Sequence, residues 1–172
     1  YKKDYPEWSD RGDGPGAPVA VHMPNSPVIA TGKRDGSKIR LPNGNYLEET
    51  ASYFVMVETK TGGYTPSLIT MKSTQLNVSK KWNSMMKTTQ IADGSGGFAI
   101  PPMHGVVYNL TSTLQKNDKG SWYGWVVTQD RILGQADKSL YLEAKDFSGN
   151  VSKGTVQTKA DVEEKGSEAT PY

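Results

Sequence analysis

Lysines and aromatic rings recur side by side in this sequence, and the chemistry that pairing offers is capture of a flexible polyanion. Lys72, Lys80, Lys81 and Lys87 mark one segment with no acidic residue between its ends. Lys33, Arg34, Lys38 and Arg40 form a second, broken only by Asp35. Tyr46, Tyr53, Tyr64 and Trp82 lie close to these two. Lys116 and Lys119 lead into Trp122-Tyr123-Gly124-Trp125, a third cluster. Ammonium groups attract phosphates, and each base of a single strand can stack on an exposed ring for about 1–3 kcal/mol without any sequence preference. The expected phosphate contacts are Lys72, Lys80, Lys81, Lys116 and Lys119. The expected stacking residues are Tyr53, Tyr64, Tyr123 and Trp125.

Each cluster also has a plainer reading. A lysine-rich helix face is ordinarily just solvated. Trp82 falls on the apolar stripe of its helix and is expected in the core. Strand alternation sends Trp122 to one side and Tyr123 and Trp125 to the other, so one of the two tryptophans is expected to be core. The coincidence of three clusters favours the binding reading over three separate accidents.

Catalytic chemistry is not apparent. The two histidines, His22 and His104, sit in proline-containing loop contexts with no histidine–glutamate metal motif around them. Without cysteine, disulfides, thiolate metal sites and thiol catalysis are excluded. Asp93-Gly94-Ser95-Gly96-Gly97 lacks the lysine and threonine of a phosphate loop and follows no strand. Arg11-Gly12-Asp13 matches an integrin-ligand tripeptide but lacks the secreted, disulfide-bonded setting. No enzyme activity, cofactor or metal is expected.

The elements that must position these residues follow from periodicity. Residues 1–50 are dense in turn formers and read as an arm or loops laid over the remainder, or as a partly disordered leader, with one short edge strand near Pro18–Met23. Ser52 to Glu58 is β-branched and aromatic, a central strand, and Tyr64 to Met71 returns beside it. Gln75 to Lys87 lacks glycine and proline and reads as a helix capped by Ser73 or Thr74. Gly105 to Leu114 and Trp122 to Thr128 are two more strands joined by a polar loop over 115–120. A second short helix is expected from about Asp137 to Phe147. The chain is therefore expected to be mainly β with inserted helices (α+β), a small antiparallel OB-like barrel with one or two short helices. Its expected divisions are a turn-rich arm (1–50), the barrel core (51–149) and a flexible, mildly acidic tail (150–172).

The 172 residues suit one domain, and the net charge of +2 leaves the distribution of charge more informative than its sum. No apolar run approaches the roughly 20 residues of a membrane helix, and no secretory leader opens the chain, which begins without methionine. A cytoplasmic location and no membrane partner are expected.

Three stretches resemble a group of phage-encoded proteins: Arg40-Leu41-Pro42-Asn43-Gly44-Asn45-Tyr46, Met71-Lys72-Ser73-Thr74-Gln75-Leu76 continuing through Ser79-Lys80-Lys81-Trp82-Asn83-Ser84-Met85, and Asn117 to Trp125. An opening Tyr5-Pro6-Glu7-Trp8 accompanies them, so the resemblance spans most of residues 5–147. It implies a single-stranded DNA-binding protein of the OB type, acting in phage replication or recombination in the cytoplasm of an infected bacterial host. It also implies recruitment of replication or recombination proteins through the tail, where Glu163, Glu164 and Glu168 precede Thr170-Pro171-Tyr172. Lys159 and Lys165 dilute the tail's charge, a departure from the strongly acidic tails of that class. The alternatives are a phage virion or assembly protein that laces into its neighbours through arm and tail, and a metal-dependent nuclease.

Overall fold

The computed structural model describes residues 7–12, 18–118 and 120–156. Most of the expected tail, Lys119, Tyr5, Pro6 and Asp13 lie outside them.

The described part of the N-terminal third contains four short strands and a short helix. β1 (Glu7–Arg11) and β2 (Ala20–His22) pair antiparallel. A five-residue helix, α1 (Pro27–Thr31), opens on Pro27, where a missing N–H costs nothing. β3 (Lys33–Asp35) and β4 (Lys38–Arg40) form a tight hairpin. Gly32 is required before it, because a Cβ there would collide with the Ile39 side chain.

β5 (Tyr46–Glu58) is the strand around which the sheet is organised. Over 46–50 it pairs with β1, over 46–48 with β4, and over 50–58 with β6 (Tyr64–Lys72), all antiparallel. Thr50 faces both Glu7 and Lys72, so β1 and β6 lie on opposite edges of β5. The six strands form one sheet that curls into a half-barrel. The expected boundary at residue 50 thus falls inside β5, and the described part of the arm contributes β1 to β4 and the start of β5 to the sheet.

Ser73, at the turn out of β6, has φ +50°, which few residues other than glycine adopt. A 3₁₀ turn (Ser73–Gln75) then leads into α2 (Leu76–Thr88). Trp82 and Ser79 are the buried residues of α2. A two-residue hairpin, β7 (Ile91–Ala92) with β8 (Phe98–Ala99), precedes the long hairpin of β9 (Val106–Asn117) and β10 (Gly120–Ile132). The last element among the described residues is α3 (Lys138–Ser152).

Two clusters make the core. Ala51, Tyr53, Met71 and Trp82 form the larger, with Leu76, Val78, Met86, Tyr108, Leu110 and Val127 packed against it. Ile39, Leu41 and Leu47 form the smaller, under Trp8, Val28 and Ile29. Glu48 is buried between them in the chain, with Arg11 Nε at 3.5 Å and Lys72 Nζ at 3.4 Å from its Oε2. The architecture is mainly antiparallel β with a few helices, in line with the expected α+β class.

Candidate nucleic-acid interface

The β9–β10 hairpin is built for two different environments along one face. Directly opposed residues of antiparallel strands share a face. The register pairs Leu110 with Val127, Ser112 with Trp125, Leu114 with Tyr123, and Lys116 with Ser121. At the base of that face Tyr108, Leu110 and Val127 pack on the larger core. Towards the tip the same face has no cover: Leu114 is 61% exposed, Tyr123 72% and Trp125 38%. Lys116 is exposed beside them. Tyr123 and Trp125 are two residues apart in one strand, so their attachment points are separated by about 7 Å. That is twice the roughly 3.4 Å rise of a stacked duplex strand, so two bases resting on these rings must be unstacked from one another.

The opposite face is occupied around Gly124, while Thr111, Thr113, Val126 and Thr128 on it are exposed. Trp122 is half-buried and Gly124 buried. A Cβ on Gly124 would meet the Gln115 amide at 2.5 Å and the Gln75 amide at 2.8 Å. Gln75 also accepts a hydrogen bond from the Trp125 backbone N–H at 3.0 Å. Farther along, the Thr89 hydroxyl donates to Gln129 Oε1 at 2.8 Å. These two bonds, one before and one after α2, tie the helix to the outer edge of β10. Ser73 and Thr74, expected as helix caps, belong instead to the 3₁₀ turn that delivers Gln75 to that edge.

On α2, Trp82 faces the core and is 4% exposed, while Lys80, Lys81 and Lys87 are exposed. At about 100° per residue Lys80 and Lys87 fall on the side away from Trp82 and Lys81 on a flank. Lys72 is exposed but engaged with Glu48. Tyr64 is half-buried at the far end of the β5–β6 ladder, opposite Glu58. Tyr53 is 3% exposed. Its ring stacks on Trp82 with centroids 4.3 Å apart and planes 18° apart. Its hydroxyl lies 2.7 Å from the Ser79 hydroxyl and donates to Asn83 Oδ1 at 3.2 Å. Burial raises the Tyr53 pKa against the pull of those hydrogen bonds. With no open ring face, Tyr53 is a core residue and leaves the stacking set.

Of the expected site residues, the hairpin therefore unites Lys116, Tyr123 and Trp125. Lys80 and Lys81 stand on the neighbouring helix. Lys72, Tyr53 and Tyr64 belong to the β5–β6 region. Ser112 and Leu114 join the face, although neither is among the residues expected from the lysine–aromatic pattern. Leu114 shares the parity of Leu110, the signal that could have marked it, whereas Ser112 and the strand's continuation past Leu114 are polar and carry no such signal.

The glycine-rich loop between β7 and β8 has its own anion. The Asp93 carboxylate accepts hydrogen bonds from the Ser95 N–H at 2.8 Å, the Ser95 hydroxyl at 2.8 Å and the Gly97 N–H at 2.9 Å. Hydrogen bonds from Ser95, then Gly97, lower its pKa. A concavity of N–H groups that would suit a phosphate is filled by the chain's own carboxylate. The histidines lie apart: His22 Nε2 is 3.8 Å from Asp10 Oδ2 on β1, and His104 packs against Tyr141 of α3 with ring centroids 5.2 Å apart. Among the described residues no group of three or more His, Asp or Glu side chains is placed to hold a metal ion. No helix among them is long and apolar enough to cross a membrane.

A family model described as Pam3 phage gp34-like protein matches residues 1–157. No curated protein and no solved structure matches the chain significantly.

Proposed function

The chain belongs to that Pam3 phage gp34-like family of bacteriophage proteins, and we propose that it binds single-stranded DNA without sequence specificity in phage replication or recombination. The observation that carries the reading is the distal hairpin face, where Tyr123, Trp125 and Leu114 are exposed next to Lys116. Rings of this kind stack on any base, and a lysine beside them meets the phosphate between. Lys80, Lys81 and Lys87 of α2 add exposed positive charge on the neighbouring helix, Lys80 and Lys87 on the side turned away from the core. The packing of Tyr108, Leu110 and Val127 onto the β5–β6 region supports an OB-like reading, in which the long hairpin closes one side of the half-barrel. The setting is the cytoplasm of an infected host, with replication or recombination proteins as further partners of the tail.

The test is fluorescence anisotropy of a labelled oligothymidine at two salt concentrations with a duplex competitor. Binding that weakens by about 0.7 log unit per log unit of salt for each phosphate neutralised, and that duplex does not displace, supports the reading. No binding at low salt sinks it.

A second reading, a virion or assembly protein, is favoured by one observation: Val19, Val21 and Met23 are exposed in and around β2, the terminal strand of the sheet. Size-exclusion chromatography with light scattering checks it; a monomer at every concentration, alone and with phage structural proteins, counts against it.

A further inference from the structure

Behind the hairpin base lies a partly open cavity of about 450 Å³, lined by β5–β6, α2, the start of β9, the end of β10 and α3. This is within the roughly 300–1,000 Å³ of small-molecule sites. Its walls are largely apolar and aromatic, with Trp82, Met86, Phe54 and Phe147 among them. Among the polar side chains of this lining, Tyr108 and His104 each bury an atom, Oη and Nε2 respectively, that makes no hydrogen bond among the described residues. Buried hydroxyls and imidazoles almost always find a partner, so two unpaired ones on the wall of one cavity are a recognition pattern awaiting a complement. Burial favours the uncharged form of each, raising the tyrosine pKa and lowering that of the histidine, the latter helped by Lys145. The lining contains a single Arg or Lys, Arg131. Its guanidinium is already held by Asp130 Oδ2 at 2.8 Å and Asp137 Oδ1 at 3.7 Å. An anionic ligand would find no free cation there.

We infer that this cavity is a binding site for a small, neutral aromatic molecule carrying at least one hydrogen-bonding group, held by ring packing on the wall and by Tyr108 and His104. The site is separate from the exposed hairpin face and does not depend on what that face binds.

The experiment titrates the full chain with Nile red, a neutral aromatic dye with a carbonyl acceptor, following fluorescence intensity and emission maximum. Saturable binding of one dye per chain with a blue shift is expected. Ala144→Trp, which fills the cavity from α3, is expected to abolish the signal while the thermal midpoint holds or rises. Tyr108→Phe is expected to weaken binding several-fold and keep the apolar wall intact. An anionic naphthalene sulfonate dye is expected to bind more weakly than Nile red, and oligothymidine is expected not to displace Nile red. The proposal is overturned by non-saturable or absent binding to the wild-type chain, by unchanged affinity in Tyr108→Phe, by equal or tighter binding of the anionic dye, or by displacement with oligothymidine, which would place the dye on the hairpin face. Should Ala144→Trp not fold, Tyr108→Phe and the two competitors decide alone.

Discussion

The molecule contains two long antiparallel hairpins of similar size and opposite fate. β5–β6 is set in a six-stranded sheet, and β5 is covered on both faces through Tyr53. β9–β10 pairs with no further strand among the described residues, and its distal half is exposed on one face. Both carry tyrosine and sit beside the same helix. In the first, Tyr53 is trapped under Trp82; in the second, Tyr123 stands in solvent. The lesson is that an aromatic strand residue acquires its role from what covers it. The strand alone assigns neither stability nor recognition.

The largest effect that sharpens this contrast is expected from Trp82→Ala. Removing the ring from the larger core costs about 3–5 kcal/mol, enough to lower the urea midpoint steeply or unfold the chain, as circular dichroism would record. Tyr53→Phe keeps the ring but leaves its hydroxyl partners at Ser79 and Asn83 short, costing about 1–3 kcal/mol of stability. Tyr123→Phe makes the same chemical change in the exposed hairpin and is expected to move stability by no more than about 0.5 kcal/mol. Equal losses in the two variants would break the comparison. Trp125→Ala reverses the pattern: stability within about 0.5 kcal/mol of wild type, and oligothymidine affinity lower by about 1–3 kcal/mol, or roughly 5- to 150-fold. The smallest effect is expected from Lys116→Ala, which takes one ammonium away from the phosphates and so reduces the salt slope of binding by about 0.7. Lys72→Ala, whose ammonium is engaged with Glu48, is expected to change that slope less than Lys116→Ala does.

Periodicity makes the central elements legible. The β5–β6 pair, α2 and the β9–β10 pair all appear where alternation or helical spacing puts them, and α3 begins within a residue of its expected start. Three things are not legible. The strands before residue 45 are three to five residues long, too short for alternation to rise above the turn residues around them. The polar stretch after Leu114 reads as loop because strand signals are really burial signals; here both strands run on into solvent, where Lys116 and Asn117 are as suitable as valine. Tyr53 is misplaced for the converse reason. β5 is apolar on both faces, so sequence alone offers no side for the ring to avoid, and only the packing of α2 decides it. The tip of the third lysine–aromatic cluster is recoverable because Trp122 and Trp125 differ in parity, and parity survives any error in strand length.

The double pairing of Thr50 has a kinetic consequence. Its neighbours on both sides, Glu7 and Lys72, come from the beginning and middle of the described chain. Fraying of β1 therefore cannot release β5, and fraying of β6 cannot either, since each leaves the other ladder in place. At Leu47 and Glu48 the two neighbours are β1 and β4, and at Thr50 they are β1 and β6, so opening the backbone along this stretch takes more than one ladder, a sub-global event rather than a local one. The amides of that short stretch are expected to be the last in the molecule to exchange with deuterium, whereas those at the tip of the β9–β10 hairpin are expected to be among the first.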